Sequence, residues 1–228
     1  WKIAESKEVE IIKNAFAGIG EIYIADGHHR AASAVKVGLK RRKENHGYDG
    51  TEEFNYFLSV LFPDDQLMIM DYNRTVKDLN GLSEDEFIEK IKDNFEVTTL
   101  SEAKHPDKKG KVSMYLSGKW YMLSAKKELL EINDPVLSLD VSLLQNYLLE
   151  PVLGIKDPRT DERIDFIGGI RGLKELEKRA DSDMKVSFAM YPTSISELFD
   201  VADAGLLMPP KSTWFEPKLR SGLFIHRI

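Results

Sequence analysis

The stretch Ile22–Arg30 constrains the fold of this chain more than any other part of it. It reads Ile-Tyr-Ile-Ala-Asp-Gly-His-His-Arg, an apolar run that leads into Gly27. The apolar residues Ile22–Ala25, mostly β-branched or aromatic, predict a buried strand. The following pattern is helical and ends in the cations Lys40–Lys43, so it predicts a helix that begins near His28. A joint of strand, glycine and helix therefore lies at the centre of the predicted fold.

Such a joint is typical of an anion site. A glycine lets a ligand approach the main chain, and the first turn of a helix presents N–H groups that carry partial positive charge. His28, His29 and Arg30 add side-chain donors at the same helix end, and Arg30 can hold a phosphate or a carboxylate through two parallel hydrogen bonds. The sequence thus predicts that Gly27 to Arg30 bind phosphate.

Asp26 precedes this glycine, and its carboxylate has three interpretations. It caps the helix, it holds one tautomer of a histidine, or it binds Mg²⁺ beside a bound phosphate. The neighbours His28 and His29 point about 100° apart on a helix, which argues against a shared transition metal. Asp26 and His29 are the candidate catalytic residues, and Asp26 is the candidate Mg²⁺ ligand.

A second pair of predicted strands carries another cation. The apolar run Tyr56–Phe62 and the run Leu67–Val76 are separated by a short turn, which predicts an antiparallel pair. Arg74 lies at the far end of the second run. It is either a second anion ligand or an ion-pair partner of Asp71.

The C-terminal segment offers three more candidate ligands. Lys211, Ser212 and Thr213 have the residue types of a phosphate loop, but prolines stand where a Walker motif requires glycines, which argues against that motif. A rigid polar loop of this kind can still cover a nucleotide or an acidic substrate. The alternative is that Trp214 and Phe215 anchor a closing loop to the core.

Between these stretches the pattern predicts ordinary structural elements. Ser83 with Glu86 has the spacing of a capping box, Ser117-Gly118 predicts a hairpin turn, and Thr193 or Ser194 caps a further helix. A last strand is predicted at Leu223–Ile228. Strands alternate with helices, so the chain is expected to be a mixed α/β or α+β protein.

Composition bounds the function classes. With 228 residues, 42% of them apolar, the chain can bury a core, and its net charge of −6 argues against a general nucleic-acid surface. No apolar run approaches the length of a membrane span, and no signal peptide is recognisable. The sequence has no cysteine, so it has no disulfide and no thiolate nucleophile. These features predict a cytoplasmic protein.

Several of these motifs together resemble one family. Ala25–Arg30 after an apolar run, with Met208–Leu219 and Ser221–Leu223 far downstream, resembles the bacterial and archaeal family catalogued as domain of unknown function 1015. Tyr56–Pro63 and Met70–Arg74 fit as well, so the resemblance covers nearly the whole chain. The family resembles a wider group that contains the nucleotide-binding domain of ParB partition proteins, sulfiredoxin and free-serine kinases.

The resemblance implies a division of the chain and a ligand. Residues 1–80 would form a ParB/sulfiredoxin-like nucleotide-binding region, and residues 81–228 an α+β subdomain that ends in the Lys211 loop. The turn at Gly27–Arg30 would bind the phosphates of ATP or ADP, or of CTP, together with Mg²⁺. Family members are longer, so this chain would be their C-terminal part. In the serine kinases that the family resembles, the carboxylate proposed as catalytic base lies upstream of the histidine turn.

Two functional classes follow from the resemblance. In a small-molecule kinase, acting on a free serine-like hydroxyl substrate, Gly27–Arg30 would cradle the phosphates while Lys211 or Arg74 neutralises developing charge. In a ParB-like regulatory or partition-related module, the same turn would bind a nucleotide without phosphotransfer. The histidines at the turn replace the cysteine of sulfiredoxin, which excludes that chemistry. The expected partner is a small-molecule or nucleotide ligand, and the oligomeric state stays open.

Overall fold

The chain is a mixed α+β protein, as predicted. The structure, a computed structural model, describes residues 2–220 and 222–227. It divides into two compact units: unit 1 comprises Trp1–Val60 with Arg220–Ile228, and unit 2 comprises Leu61–Leu219. The functional boundary predicted near residue 80 stays a prediction, because compactness alone does not assign a function to either part.

Unit 1 is built on two helices, α1 (Ser6–Ala17) and α2 (His28–Glu44). The predicted start and basic end of α2 are confirmed. Gly38 of α2 lies so close to the turn Glu53–Asn55 that a Cβ atom there would be 2.8 Å from the carbonyl oxygen of Phe54. Gly38 is the one residue of the described part of unit 1 that is buried.

Two predicted strands of the N-terminal region are wrong. Ile22–Ala25 and Tyr56–Phe62 have no strand structure, and their apolar side chains are largely exposed, with 60% for Ile22 and 53% for Phe57. A strand requires a hydrogen-bonding partner strand, and neither run pairs with one in the described residues. The predicted last strand is likewise not formed by residues 223–227, and residue 228 lies outside the described residues.

Unit 2 holds both sheets of the described chain. The strands are β1 (Met68–Met70), β2 (Tyr72–Val76), β3 (Phe95–Leu100), β4 (Lys111–Leu116), β5 (Lys119–Ala125), β6 (Ile164–Gly168), β7 (Val186–Met190) and β8 (Trp214–Glu216). Six of them form an antiparallel sheet in the order β3-β5-β4-β7-β2-β6, and β1 pairs with β8 in a separate ribbon. The predicted run Leu67–Val76 is therefore two strands in two different sheets, which separate at Asp71.

The helices of unit 2 cover the six-stranded sheet. They are α3 (Glu84–Ile91), α4 (Lys127–Leu130), α5 (Asp140–Leu144), which continues as a π-helical turn Gln145–Leu149, α6 (Leu173–Ser182) and α7 (Ile195–Asp203). The capping box predicted at Ser83 is confirmed, as is the hairpin at Ser117-Gly118. Of the two candidate caps of α7, Thr193 and Ser194, it is Ser194 that caps the helix, in a second capping box with Glu197. Within the described ranges, no helix is both long and apolar enough to cross a membrane.

The two faces of the sheet bury different side chains, because successive residues of a strand point to opposite faces. Met114 and Phe188 belong to the larger core, which also contains Phe87 of α3. Ala189, next to Phe188 on β7, belongs to a smaller cluster with Leu176 of α6. Strand β2 lies between β6 and β7, so hydrogen bonds along both of its edges fix its backbone and the directions of its side chains.

Candidate functional site

The Asp26–Arg30 turn opens helix α2 in unit 1. Gly27 is the N-cap and has a left-handed φ of 88°, and its carbonyl oxygen accepts the first helical hydrogen bond from the Ala31 N–H at 3.0 Å. A Cβ atom on Gly27 would be 3.0 Å from Nη2 of Arg30. The Arg30 guanidinium therefore lies against the bare Cα of Gly27, at the positive end of the helix.

Asp26 is not the N-cap residue of α2, so the prediction that it occupies this position is wrong. The N-cap is Gly27, which has no side chain. Oδ1 of Asp26 instead accepts a hydrogen bond from the Gly27 N–H at 2.8 Å. This bond fixes the carboxylate beside the glycine, while the N-cap residue itself has no side chain.

The first turn of α2 differs in this respect from the capped helices of unit 2. In α3 and α7 the first turn is closed by reciprocal bonds between a serine and a glutamate, and both boxes use local side chains. In α2 the exposed residues His28, His29 and Arg30 occupy the corresponding positions. The N-terminus of a helix, its dipole and a guanidinium converge here, and together they are typical of an oxyanion site.

The second group of predicted ligands lies in unit 2, around Arg74. Arg74 is only 4% exposed and shares one face of β2 with Tyr72. Its Nη1 donates to the Tyr72 carbonyl oxygen, and its Nη2 donates to the Lys211 carbonyl oxygen at 3.1 Å. The guanidinium carbon lies 5.7 Å from the ring centroid of Phe166. Arg74 thus joins the C-terminal loop to the sheet.

The predicted ion pair between Asp71 and Arg74 is wrong. In the described part of the chain, the Asp71 carboxylate accepts a hydrogen bond from Nδ2 of Asn73 at 2.6 Å, and Arg74 has no carboxylate within 4.0 Å. The Asp71 carbonyl oxygen also accepts from the Gly169 N–H at 2.8 Å. Burial lowers the pKa of Arg74 to about 10, which leaves the guanidinium protonated at neutral pH.

Within the C-terminal loop, Lys211 and Ser212 have contrasting environments. Lys211 is exposed, and its ammonium nitrogen lies 5.4 Å from the ring centroid of Tyr72. Ser212 is buried, and its hydroxyl donates to the Pro209 carbonyl oxygen. The Ser212 carbonyl oxygen accepts from Oγ1 of Thr193 at 3.2 Å. Thr213 follows, half-buried, so Ser212 supports the loop while Lys211 faces outward.

Aromatic residues hold this loop in place, as the second interpretation of the segment predicted. The Trp214 ring lies against Gly168, where a Cβ atom would be 2.6 Å from the ring, and it packs edge-on against Tyr72 with centroids 5.3 Å apart. Phe215 is 4% exposed. We define the Arg74 cluster as Tyr72, Arg74, Phe166, Lys211 and Trp214. Sequence reasoning missed Tyr72 and Phe166, although the alternation of β2 places Tyr72 on the face of Arg74.

The structure therefore groups the predicted ligands in two sets. Asp26, Gly27, His28, His29 and Arg30 form one turn in unit 1, while Arg74, Lys211, Ser212 and Thr213 lie in unit 2. Their roles as ligands stay predictions.

Among the described residues, no group of three or more His, Cys, Asp or Glu side chains is placed to hold a metal ion. A single exposed carboxylate group such as that of Asp26 is compatible with Mg²⁺ bound mainly through phosphate oxygens, because this ion commonly uses one or two carboxylates and the phosphates of a substrate.

Comparisons with other proteins give a family and several similar structures. The model of the family described as "Protein of unknown function (DUF1015)" matches residues 1–142. No match is found among functionally curated proteins. A free serine kinase in complex with AMP is similar with 17% sequence identity and a TM-score of 0.44, over 94% of this chain and 81% of that chain. A conserved hypothetical protein from Pyrococcus furiosus is similar with 15% identity and a TM-score of 0.43, over 94% of this chain and 84% of that chain.

Proposed function

The chain belongs to the DUF1015 family, and we propose that it binds nucleotide phosphates at the Asp26–Arg30 turn. One observation carries the proposal: the Arg30 guanidinium lies against the left-handed Gly27 at the N-terminus of α2. The oxygens of a bound phosphate would accept hydrogen bonds from this guanidinium and from N–H groups of the first helical turn.

Arg30 and the two histidines would each donate hydrogen bonds to the ligand. The guanidinium supplies two parallel donors to one phosphate group, and its planar fork fits that group better than a lysine would. His28 and His29 are exposed in the same turn and add ring N–H donors. The ligand expected from this donor set is the phosphate chain of ATP or ADP, or of CTP.

We extend the proposal to phosphotransfer to a small hydroxyl substrate. Mg²⁺, when bound, would neutralise phosphate charge, and Asp26 is the residue of the turn that could hold it. In such a transfer the acceptor oxygen bonds to the terminal phosphorus, its proton moves to the His29 imidazole, and the shortened nucleotide leaves. Arg30 would stabilise the charge that develops on the phosphoryl oxygens.

Thermal unfolding with nucleotides tests the binding step. The full chain is heated with ATP, ADP, CTP or GTP, with and without Mg²⁺, beside the Arg30→Ala and Arg41→Ala variants. Arg41 is a matched control, because it is an exposed arginine at the other end of α2. A nucleotide at a hundredfold its Kd should stabilise the wild type by about 2.7 kcal/mol, which corresponds to roughly 5–10 °C.

The variants decide the outcome. The proposal requires that Arg30→Ala removes the gain and that Arg41→Ala keeps it. An absent gain in the wild type, or an equal gain in Arg30→Ala, would refute it. Mass spectrometry of hydroxyl acceptors such as free serine, incubated with the protein and the nucleotide it binds, then tests transfer. Binding without phosphorylated product favours the ParB-like regulatory module.

A further inference from the structure

We propose that the Arg74 cluster of unit 2 is a separate binding site for an oxyanion, a carboxylate or phosphate group of a small molecule, held between Arg74 and Lys211. All its residues lie in unit 2, so the inference does not rest on the function proposed for the Asp26–Arg30 turn.

The first observation is the charge of Arg74. Its guanidinium is buried, yet throughout residues 2–220 and 222–227 no carboxylate lies within ion-pair distance of it. The carbonyl oxygens of Tyr72 and Lys211 accept two of its five N–H donors and bring only partial negative charge. A buried cation without an anion is costly, and proteins normally pair it or place it at a ligand.

The second observation is the position of Lys211. It brings another cation to the same face of β2, with its ammonium nitrogen 5.4 Å from the Tyr72 ring. Its backbone has a φ of 58°, in the left-handed region that lysine rarely adopts. This conformation coincides with the contact of its carbonyl oxygen to Arg74. Unfavourable backbone conformations of this kind cluster at ligand sites, where the surrounding structure maintains them.

The acidic groups near the cluster do not pair with Arg74 or Lys211. Glu216 accepts from Nε1 of Trp214 at 2.8 Å and from the Lys218 N–H at 3.1 Å. Asp71 accepts from Asn73, which points to the opposite face of β2 from Arg74. Neither Arg74 nor Lys211 therefore has an ion-pair partner in the described structure, although both contact the aromatic rings of the cluster. An oxyanion would compensate both charges.

Lys211→Gly is the variant that tests the site. It removes the ammonium group, and glycine accepts a φ of 58° without steric cost, so the loop keeps its backbone conformation. Arg74→Gln is less suitable as the sole test, because the buried guanidinium also supports the loop. Lys77→Ala is the matched control, since Lys77 is an exposed lysine directly after β2.

The measurement is a backbone-amide NMR titration of the full chain with inorganic phosphate, and separately with acetate, at constant ionic strength set with chloride. We expect saturable shifts at residues 72–74 and 209–214. Binding there should weaken by roughly tenfold in Lys211→Gly and stay unchanged in Lys77→Ala and Arg30→Ala. A response to phosphate alone identifies a phosphate site, and a response to acetate identifies a carboxylate site.

Several results would refute the proposed oxyanion site. Non-saturable or absent shifts at the cluster with both anions overturn the inference, as does unchanged binding in Lys211→Gly. Shifts confined to residues 26–31 and lost in Arg30→Ala would support the nucleotide turn while refuting this second site. Failure of the first proposal leaves the cluster shifts intact, so the two failures are distinguishable.

Discussion

A side chain at Gly27 is disfavoured by the backbone conformation, and it would also displace the Arg30 guanidinium. The Gly27 φ of 88° is unfavourable for other residues, and a Cβ atom would be 3.0 Å from Nη2 and 3.2 Å from Nε of Arg30. We expect Gly27→Ala to destabilise unit 1 by about 1 kcal/mol and to remove the nucleotide-dependent stabilisation. Thermal unfolding with and without nucleotide measures both effects.

Gly20→Ala is the control for this substitution, because no atom lies within 4 Å of a Cβ there. It should keep the nucleotide response of the wild type. A Gly27→Ala protein with the full response would mean that the position of the Arg30 guanidinium against Gly27 is irrelevant to binding.

At the same scale, the sequence identified the cations of the candidate sites but not their partners. Arg74 was recognised as an anion ligand or as a partner of Asp71, yet residues three apart on a strand point to opposite faces. Its actual partner is the carbonyl oxygen of Lys211, 137 residues away. Every residue has a backbone carbonyl, so the identity of residue 211 does not predict that contact.

The capping residues at helix ends are the local structure that the sequence predicts most directly. In α3 the Ser83 hydroxyl accepts from the Glu86 N–H at 3.3 Å, and the Glu86 carboxylate accepts from the Ser83 N–H at 2.9 Å. The bond from the Ser83 N–H, and a further one donated by the Ser83 hydroxyl to the carboxylate at 2.7 Å, lower the pKa of Glu86. We expect Ser83→Ala to lower the free energy of unfolding of unit 2 by about 1 kcal/mol, because it leaves the Glu86 N–H without the hydroxyl that accepts its hydrogen bond.

Chemical denaturation monitored by tryptophan fluorescence measures this loss. Ser101→Ala, an exposed serine outside the helices of unit 2, should change the free energy of unfolding by less than about 0.5 kcal/mol. Equal stabilities of the two variants would show that the capping box of α3 does not contribute.

The contrast between helices and strands explains which elements were predictable. Helix α2 was found from its own residues, because its hydrogen bonds join positions four apart. The run Ile22–Ala25 has the composition of a strand but no partner strand in the described chain, and composition does not encode pairing. β2 was recognised, but its neighbours β6 and β7 lie far along the sequence and were not identified as its partners.

On the scale of the whole molecule, a buried carboxylate links the stability of unit 2 to pH. Asp140, at the start of α5, is 8% exposed and accepts a hydrogen bond from the Gly110 N–H at 2.8 Å. Burial, and secondarily the negative charge of Glu197, raises its pKa to about 7 against the bond from Gly110 and the charge of Lys109. Lys109 and Glu197 pair at 2.7 Å, so Asp140 has no cation of its own in the described structure.

The raised pKa fixes the sign of the pH dependence. In the unfolded chain an aspartate has a pKa of about 3.9, so between that value and about 7 the unfolded state loses its proton while the folded state keeps it. The stabilising contribution of protonated Asp140 is therefore complete below about pH 3.9 and is lost as the pH rises through 7. A pKa difference of about three corresponds to at most roughly 4 kcal/mol.

Asp140→Asn should remove this dependence, because the amide cannot ionise and its oxygen still accepts from Gly110. Urea unfolding of both proteins from pH 4 to 8 should give similar free energies near pH 4 and a variant more stable by several kcal/mol at pH 8. Carboxylates whose pKa is lowered in the folded state, such as that of Asp161 beside Arg163, make the free energy of unfolding rise with pH. They do so equally in both proteins. Only the difference between the two curves therefore reports Asp140. Parallel curves would mean that Asp140 is ionised in the folded protein at the same pH as in the unfolded chain.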